Sequence, residues 1–161
     1  MSSDLKNKSI DKSKLTFQKE SIEDVWDEFI RLGGLHWDET EQFHQKPLNA
    51  NKELYFHYSK IGYHLLYTIR YEGVYIGHAG MYYTPSSMHS GAAKATEDLW
   101  FIEKEYRGVF FKDFYLWVES KLKELDVKEV SITTKITNLS GNKAALKMGY
   151  ELVSNEYIKR I

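Results

Sequence analysis

The stretch over residues 97–119 constrains this chain more than any other. An apolar run, Leu99 to Ile102, ends in charges at 103–105, then reads Tyr106-Arg107-Gly108. Apolar residues follow at 110, 111, 114, 117, 118, 122 and 125. The run has the length of a short buried strand, and the later spacing is one face of an amphipathic helix. A strand, a tight Arg-Gly turn and a long helix form a layout suited to anions. The helix's first turn offers free N–H groups and the positive end of its dipole. Arg107 adds a planar fork that matches phosphate oxygens. Most strand–turn–helix units bind nothing, so function has to be sought in the rest of the chain as well.

The remaining pattern supplies strands and helices around that stretch. Residues 1–13 are polar apart from Leu5 and Ile10 and read as a loose tail, leaving 14–161 as a single domain. Leu15-Thr16-Phe17 is a first strand. Ser21 caps a helix through Leu32 that Gly33-Gly34 should stop. Residues 35–44 read as part helix and part loop, and 51–58 as a short helix. Residues 63–71 and 74–83 form a hairpin about Glu72-Gly73, and 85–96 form a loop. After the long helix, 127–135 is a strand, Asn138 and Ser140 open a short helix that Gly149 stops, and 150–161 is a last strand or hairpin. The order is β-α-α-β-β-β-α-β-α-β, an α+β class with a central mixed, mostly antiparallel sheet flanked by helices.

Composition narrows the chemistry. The sequence has no cysteine, which excludes disulfides, thiolate metal sites and a cysteine nucleophile. No apolar run approaches the ~20 residues of a membrane helix, and the lysine-rich N-terminus lacks the apolar core of a secretory signal. A cytoplasmic protein is expected. The net charge of −1 argues against a broad electrostatic grip on nucleic acid.

The element order, with Tyr106-Arg107-Gly108 before the longest helix, resembles the GNAT superfamily of acyl-CoA N-acyltransferases. Asn138 followed by a short helix and Gly149-Tyr150 is similar to the family's late segment. The finer pattern also resembles small phage-encoded members: His36-Trp37, Met88-His89, Glu97-Asp98 and the ending Tyr157 to Lys159. For those the compartment would be the host cytoplasm.

The resemblance implies a site. Acetyl-CoA, or another acyl-CoA, would lie between the Leu99 strand and the Val127 strand. Its pyrophosphate would meet N–H groups of Gly108, Val109, Phe110, Phe111 and Lys112 together with Arg107, while Asn138 and Lys143 border the cofactor. Backbone donors near Trp100, Phe101 and Ile102 would hold the pantetheine arm and polarise the thioester carbonyl. An amine acceptor would lose its proton to a base and attack directly, with no metal required. Glu97, Asp98 and His36 are the catalytic candidates, and Trp37 and His89 border the acceptor. A strand alternates faces, so only one of Glu97 and Asp98 should enter the cleft. His44, His57, His64 and His78 read as structural. The acceptor is a small molecule, a protein amine or a modified nucleobase, and the protein is a monomer or homodimer.

The sequence departs from the family pattern at two places. Phe110 and Lys112 stand where small residues let backbone approach phosphate, and Ala145 stands where many members carry a tyrosine acid, with Tyr150 as a substitute. These departures keep two other readings open: a non-catalytic binding or counter-defence protein on the same scaffold, and a phage acyltransferase that modifies DNA bases.

Overall fold

The computed structural model describes residues 11–41, 44 and 46–159. Five strands form one sheet in chain order: β1 (Leu15–Glu20), β2 (His64–Tyr71), β3 (Val74–Thr84), β4 (Ala93–Ile102) and β5 (Val127–Ser131). The first three pairings are antiparallel and β4–β5 is parallel. The class is therefore the mixed, mostly antiparallel α+β sheet expected. Helices α1 (Trp26–Thr40) and α2 (Lys52–Lys60) lie between β1 and β2, α3 (Lys104–Glu124) makes the β4–β5 crossover, and α4 (Leu139–Lys147) follows β5.

Two cores sandwich the sheet. Phe110, Phe114, Val118 and Leu122 repeat at four-residue spacing, so α3 lays one face on Tyr67, Ile69, Met81 and Ala95. Against the other face, Val25, Phe29 and Leu32 close over Leu66, Tyr75 and Phe101. The Glu72-Gly73 turn has positive φ at both residues, +52° and +80°, the backbone that joins a two-residue hairpin without splaying its strands.

Four expectations change. The first helix does not start at Ser21 or stop at Gly33-Gly34: it begins at Trp26 and runs to Thr40. Glycine costs a helix only about 1 kcal/mol per residue, and the flanking apolar face holds it. The strand preceding α3 takes in residues 93–96, which were expected as loop, because they pair with β3 and β5. Residues 132–135 leave the sheet after a β5 of only five residues. The terminal strand is absent: 151–159 form no ladder, and Leu152, Val153 and Tyr157 are more than 80% exposed. The outer edge of β5 is open, but 151–159 do not pair with it. Of the expected tail, residues 1–10 lie outside the described residues. Asp11 caps a single 3-10 turn at Lys12–Lys14 that a 2.7 Å Lys12–Asp113 ion pair ties to α3.

Glycine positions give a paired test. A Cβ at Gly77 would lie 2.7 Å from the Phe101 carbonyl and 2.8 Å from Ile69, whereas one at Gly34 would meet nothing within 4 Å. Gly77→Ala should destabilise the fold by about 1–3 kcal/mol in urea unfolding, and Gly34→Ala should stabilise it by about 0.5–1 kcal/mol.

Candidate active site

The site begins where two parallel strands part. β5 pairs with β4 only at residues 93–96, reaching Thr96↔Ser131, and then stops while β4 continues to Ile102. Over residues 97–102, β4 is paired on its β3 side alone, so its outer edge faces a wedge between the strands. Thr133, just beyond β5, donates its N–H to Glu97 Oε2 at 2.8 Å across that wedge.

A β-bulge sets how the wedge is lined. Gly80 pairs with Leu99 and Met81 with Glu97, so Asp98 is an extra residue without a partner on β3. The bulge breaks the alternation of faces. Glu97 turns toward the wedge and Asp98 toward the α1–α2 layer. Asp98 Oδ2 accepts from Tyr55 Oη at 2.9 Å and lies 3.1 Å from His64 Nε2, and Oδ1 accepts from Tyr82 Oη at 2.9 Å. Gly80 makes this possible, since a Cβ there would sit 2.9 Å from His64 Nε2. Burial, followed by the neighbouring Asp98 charge, pushes the Tyr55 and Tyr82 phenols up, so both stay protonated donors. With both oxygens engaged, Asp98 is placed to hold the bulge.

Glu97 has the environment of a base. Burial, the largest cause, and the Asp98 charge raise its carboxyl to about 7, against the lowering effect of the Thr133 N–H. It is therefore poised between its two forms at neutral pH. His36 lies in the third turn of α1, its ring centroid 5.5 Å from that of Phe101. Burial lowers its pKa, so it stays neutral there.

The β4–α3 corner corrects the expected turn. Tyr106, Arg107 and Gly108 belong to the first residues of α3, which begins at Lys104, not to a turn before it. N–H groups of Gly108 to Lys112 are thus taken up by carbonyls one turn earlier, and Phe110 is fully buried against Tyr71 and Tyr106. Phe111 packs partly buried beside Trp100, while Val109 and Lys112 are exposed. The open donors are the N–H groups of Lys104 and Glu105, which meet no acceptor among the described residues. Arg107 is fixed by its Nε–H to the Ile102 carbonyl at 2.8 Å and lies over the Phe101 ring at 4.9 Å. Its terminal nitrogens contact Glu39 at 3.0 and 3.3 Å.

The other expected residues separate. Asn138 caps α4, its Oδ1 accepting from Gly141 N–H at 2.9 Å, and Lys143 is exposed on that helix. Trp37 donates to the Lys46 carbonyl at 2.6 Å and stacks on His44. His89 is exposed in the loop before β4, at the opposite end of that strand from α3. The structure adds Thr133, Lys135, Glu39 and Glu41 to the wedge, and Tyr55, Tyr82 and His64 to Asp98. No spacing in the sequence marks these residues, because each lies 16 to 94 positions from its partner.

A sheet parted between two parallel strands, with the crossover helix starting at the open end, is the GNAT fold. Solved structures with this fold include a ribosomal-protein-alanine N-acetyltransferase from Brucella melitensis biovar Abortus 2308, at 14% identity and TM-score 0.70, covering 91% of this chain and 99% of that one. An aminoglycoside acetyltransferase from an uncultured soil metagenomic sample, in complex with sisomicin, is similar at 15% identity and TM-score 0.70, with 92% and 98% covered. Glucosamine-6-phosphate N-acetyltransferase from Arabidopsis thaliana matches at 14% identity and TM-score 0.62, with 91% and 97% covered. At such identities the likeness is one of fold. No protein-family model and no curated protein sequence matches the chain. Among the described residues no cluster of metal-ligating side chains occurs, and no helix is long and apolar enough to cross a membrane.

The raised Glu97 carboxyl has a consequence for stability. The folded chain holds this proton more tightly than an unfolded chain, whose glutamate titrates near 4.5. Its contribution is therefore full below pH 4.5 and lost as the pH rises through about 7. His36 and His78, whose pKa values are lowered by burial, work in the opposite direction in any variant. The test is therefore a difference: the parent's urea midpoint minus that of Glu97→Gln should fall as the pH rises from 4 to 8.

Proposed function

We propose that this protein is an N-acyltransferase that moves an acyl group, in the first instance acetyl, from a coenzyme A thioester to an amine. The observation that carries the reading is the wedge between β4 and β5, with a half-buried carboxyl poised near neutrality where the strands part. The residues fit such a donor. Open N–H groups of Lys104 and Glu105 and the dipole of α3 favour pyrophosphate, and Arg107 supplies a fixed charge. The unpaired outer edge of β4 offers backbone groups to an extended pantetheine arm. Trp100 Nε1, buried without a partner among the described residues, is a further donor on this stretch of β4.

In this reading the donor's carbonyl oxygen accepts from a β4 N–H near Trp100, Phe101 and Ile102. That hydrogen bond stabilises the charge developing on the oxygen as the amine attacks. Glu97 takes the proton that the amine must lose, since a protonated amine has no lone pair. Asp98, locked by Tyr55, Tyr82 and His64, keeps the bulge and hence the direction of Glu97. The Tyr150 phenol, which burial and the Tyr115 beside it keep protonated, is the proton source nearest the end of α4 for the departing thiolate.

A second reading, a binding protein on the same scaffold, is favoured by one observation: Glu39 already engages the terminal nitrogens of Arg107. Calorimetric titration with acetyl-CoA separates the two when joined to a turnover assay over a panel of amines. Saturable binding that Arg107→Ala weakens at least fivefold, together with thioester consumption, supports the enzyme. Binding without turnover on any amine supports the second reading, and no binding removes both the donor and its site. In an active enzyme, kcat/KM should rise with pH through about 7. Glu97→Gln should lose that limb and about 10²-fold or more in rate.

A further inference from the structure

We propose that the last turn of α1 is a latch across the wedge, in which Glu39 and Glu41 hold the places that the donor's pyrophosphate takes on Arg107 and Lys135. The inference rests on the coenzyme A reading above and adds Lys135 as a second anion ligand.

Each of the parted strands carries a cation just beyond its end. Arg107 follows β4 in the first turn of α3, and Lys135 lies four residues past β5. Because the strands are parallel, the two cations flank the same end of the opening. Both are met by carboxylates from one place, the end of α1. Glu39 reaches the two terminal nitrogens of Arg107, and Glu41 Oε1 lies 3.0 Å from Lys135 Nζ. Four charged groups from three separate elements therefore converge on the mouth of the wedge. His36, one turn earlier on α1, feels all four of them.

Arg107 does not need its glutamate in order to face the mouth. Arg107 is oriented by the Ile102 carbonyl and the Phe101 ring, which leaves its fork available to another planar or tetrahedral anion. The upstream part of α1 is secured separately. Phe29 and Leu32 are buried, and Arg31 bonds Glu103 at 2.7 Å and the Tyr75 carbonyl at 3.0 Å. The end of α1 sets His36 against Phe101 and carries two ion pairs: Arg107–Glu39, with side chains 38% and 42% exposed, and the more enclosed Lys135–Glu41, at 29% and 17%. A solvent-open pair such as Arg107–Glu39 is weak. A pyrophosphate brings more charge and more acceptor oxygens to the same cations, while carboxylates left in place would repel it.

The test uses the full chain, calorimetry, and two ligands: acetyl-CoA and S-acetylpantetheine, which keeps the arm but lacks the pyrophosphate. The Glu39→Gln/Glu41→Gln double variant should bind acetyl-CoA about tenfold more tightly than the parent, ~1.4 kcal/mol, with S-acetylpantetheine unchanged. Lys135→Ala should weaken acetyl-CoA binding by a similar factor. Unchanged or weaker acetyl-CoA binding in a double variant that unfolds at the parent's temperature overturns the latch. Equal tightening for both ligands also overturns it, because the cleft would then have loosened without an anion site being freed. If the double variant unfolds early, Glu39→Gln alone decides: tighter binding supports the latch and unchanged binding overturns it. Should no chain bind acetyl-CoA, the coenzyme A reading itself falls, and the latch with it.

Discussion

The bulge at Asp98 is the constraint on which the candidate site depends. One unpaired residue in β4 turns Glu97 and Asp98 to different sides of the strand, where a regular strand would have set them by simple alternation. The bulge is held in place because Asp98 gathers Tyr55 from α2, Tyr82 from β3 and His64 from β2 on its two oxygens. A carboxylate bound this way ties three elements to the strand at the level where β5 falls away. Gly80 completes the arrangement, since only a residue without Cβ leaves room for the His64 ring beside Asp98.

From that point the parting of β4 and β5 follows, and with it the placement of charge. β5 ends at Ser131, so the segment after it is free to return an N–H from Thr133 to Glu97 and an ammonium from Lys135 to Glu41. On the other side α3 begins directly after Glu103, and its first turn sets Arg107 against Phe101. Continuation of α1 through Gly33 and Gly34 matters as much. Had the helix stopped there, His36, Glu39 and Glu41 would not have reached the opening. The burial that raises Glu97 and lowers His36 is a product of the same closure.

Much of the architecture was legible in the sequence. The three- and four-residue apolar spacing after Gly108 gave α3, Glu72-Gly73 gave the hairpin, and Asn138 gave the cap of α4, because each signal is local. The Arg-Gly pair and the Glu97-Asp98 pair lie along the part of β4 and the start of α3 that border the wedge. The failures have local causes too. A glycine pair reads as a stop, yet α1 passes through it because Phe29 and Leu32 are buried on its apolar face. The apolar residues after Gly149 read as a strand, yet 151–159 stay exposed and leave the open edge of β5 unpaired.

The sequence by itself determined which segments coil and which extend, for those preferences are set by residues within a turn or two of each other. It also determined the chemical stock of the site: carboxylates and one arginine at the β4–α3 corner, with no thiol. Only the tertiary structure decided that Asp98 is a tether and Glu97 the poised group, because a bulge arises from pairing with a neighbouring strand. Only it brought Glu39 to Arg107 and Glu41 to Lys135, across 68 and 94 positions. Electrostatic contacts between distant residues depend on separation in space, and the sheet's closure fixes that separation.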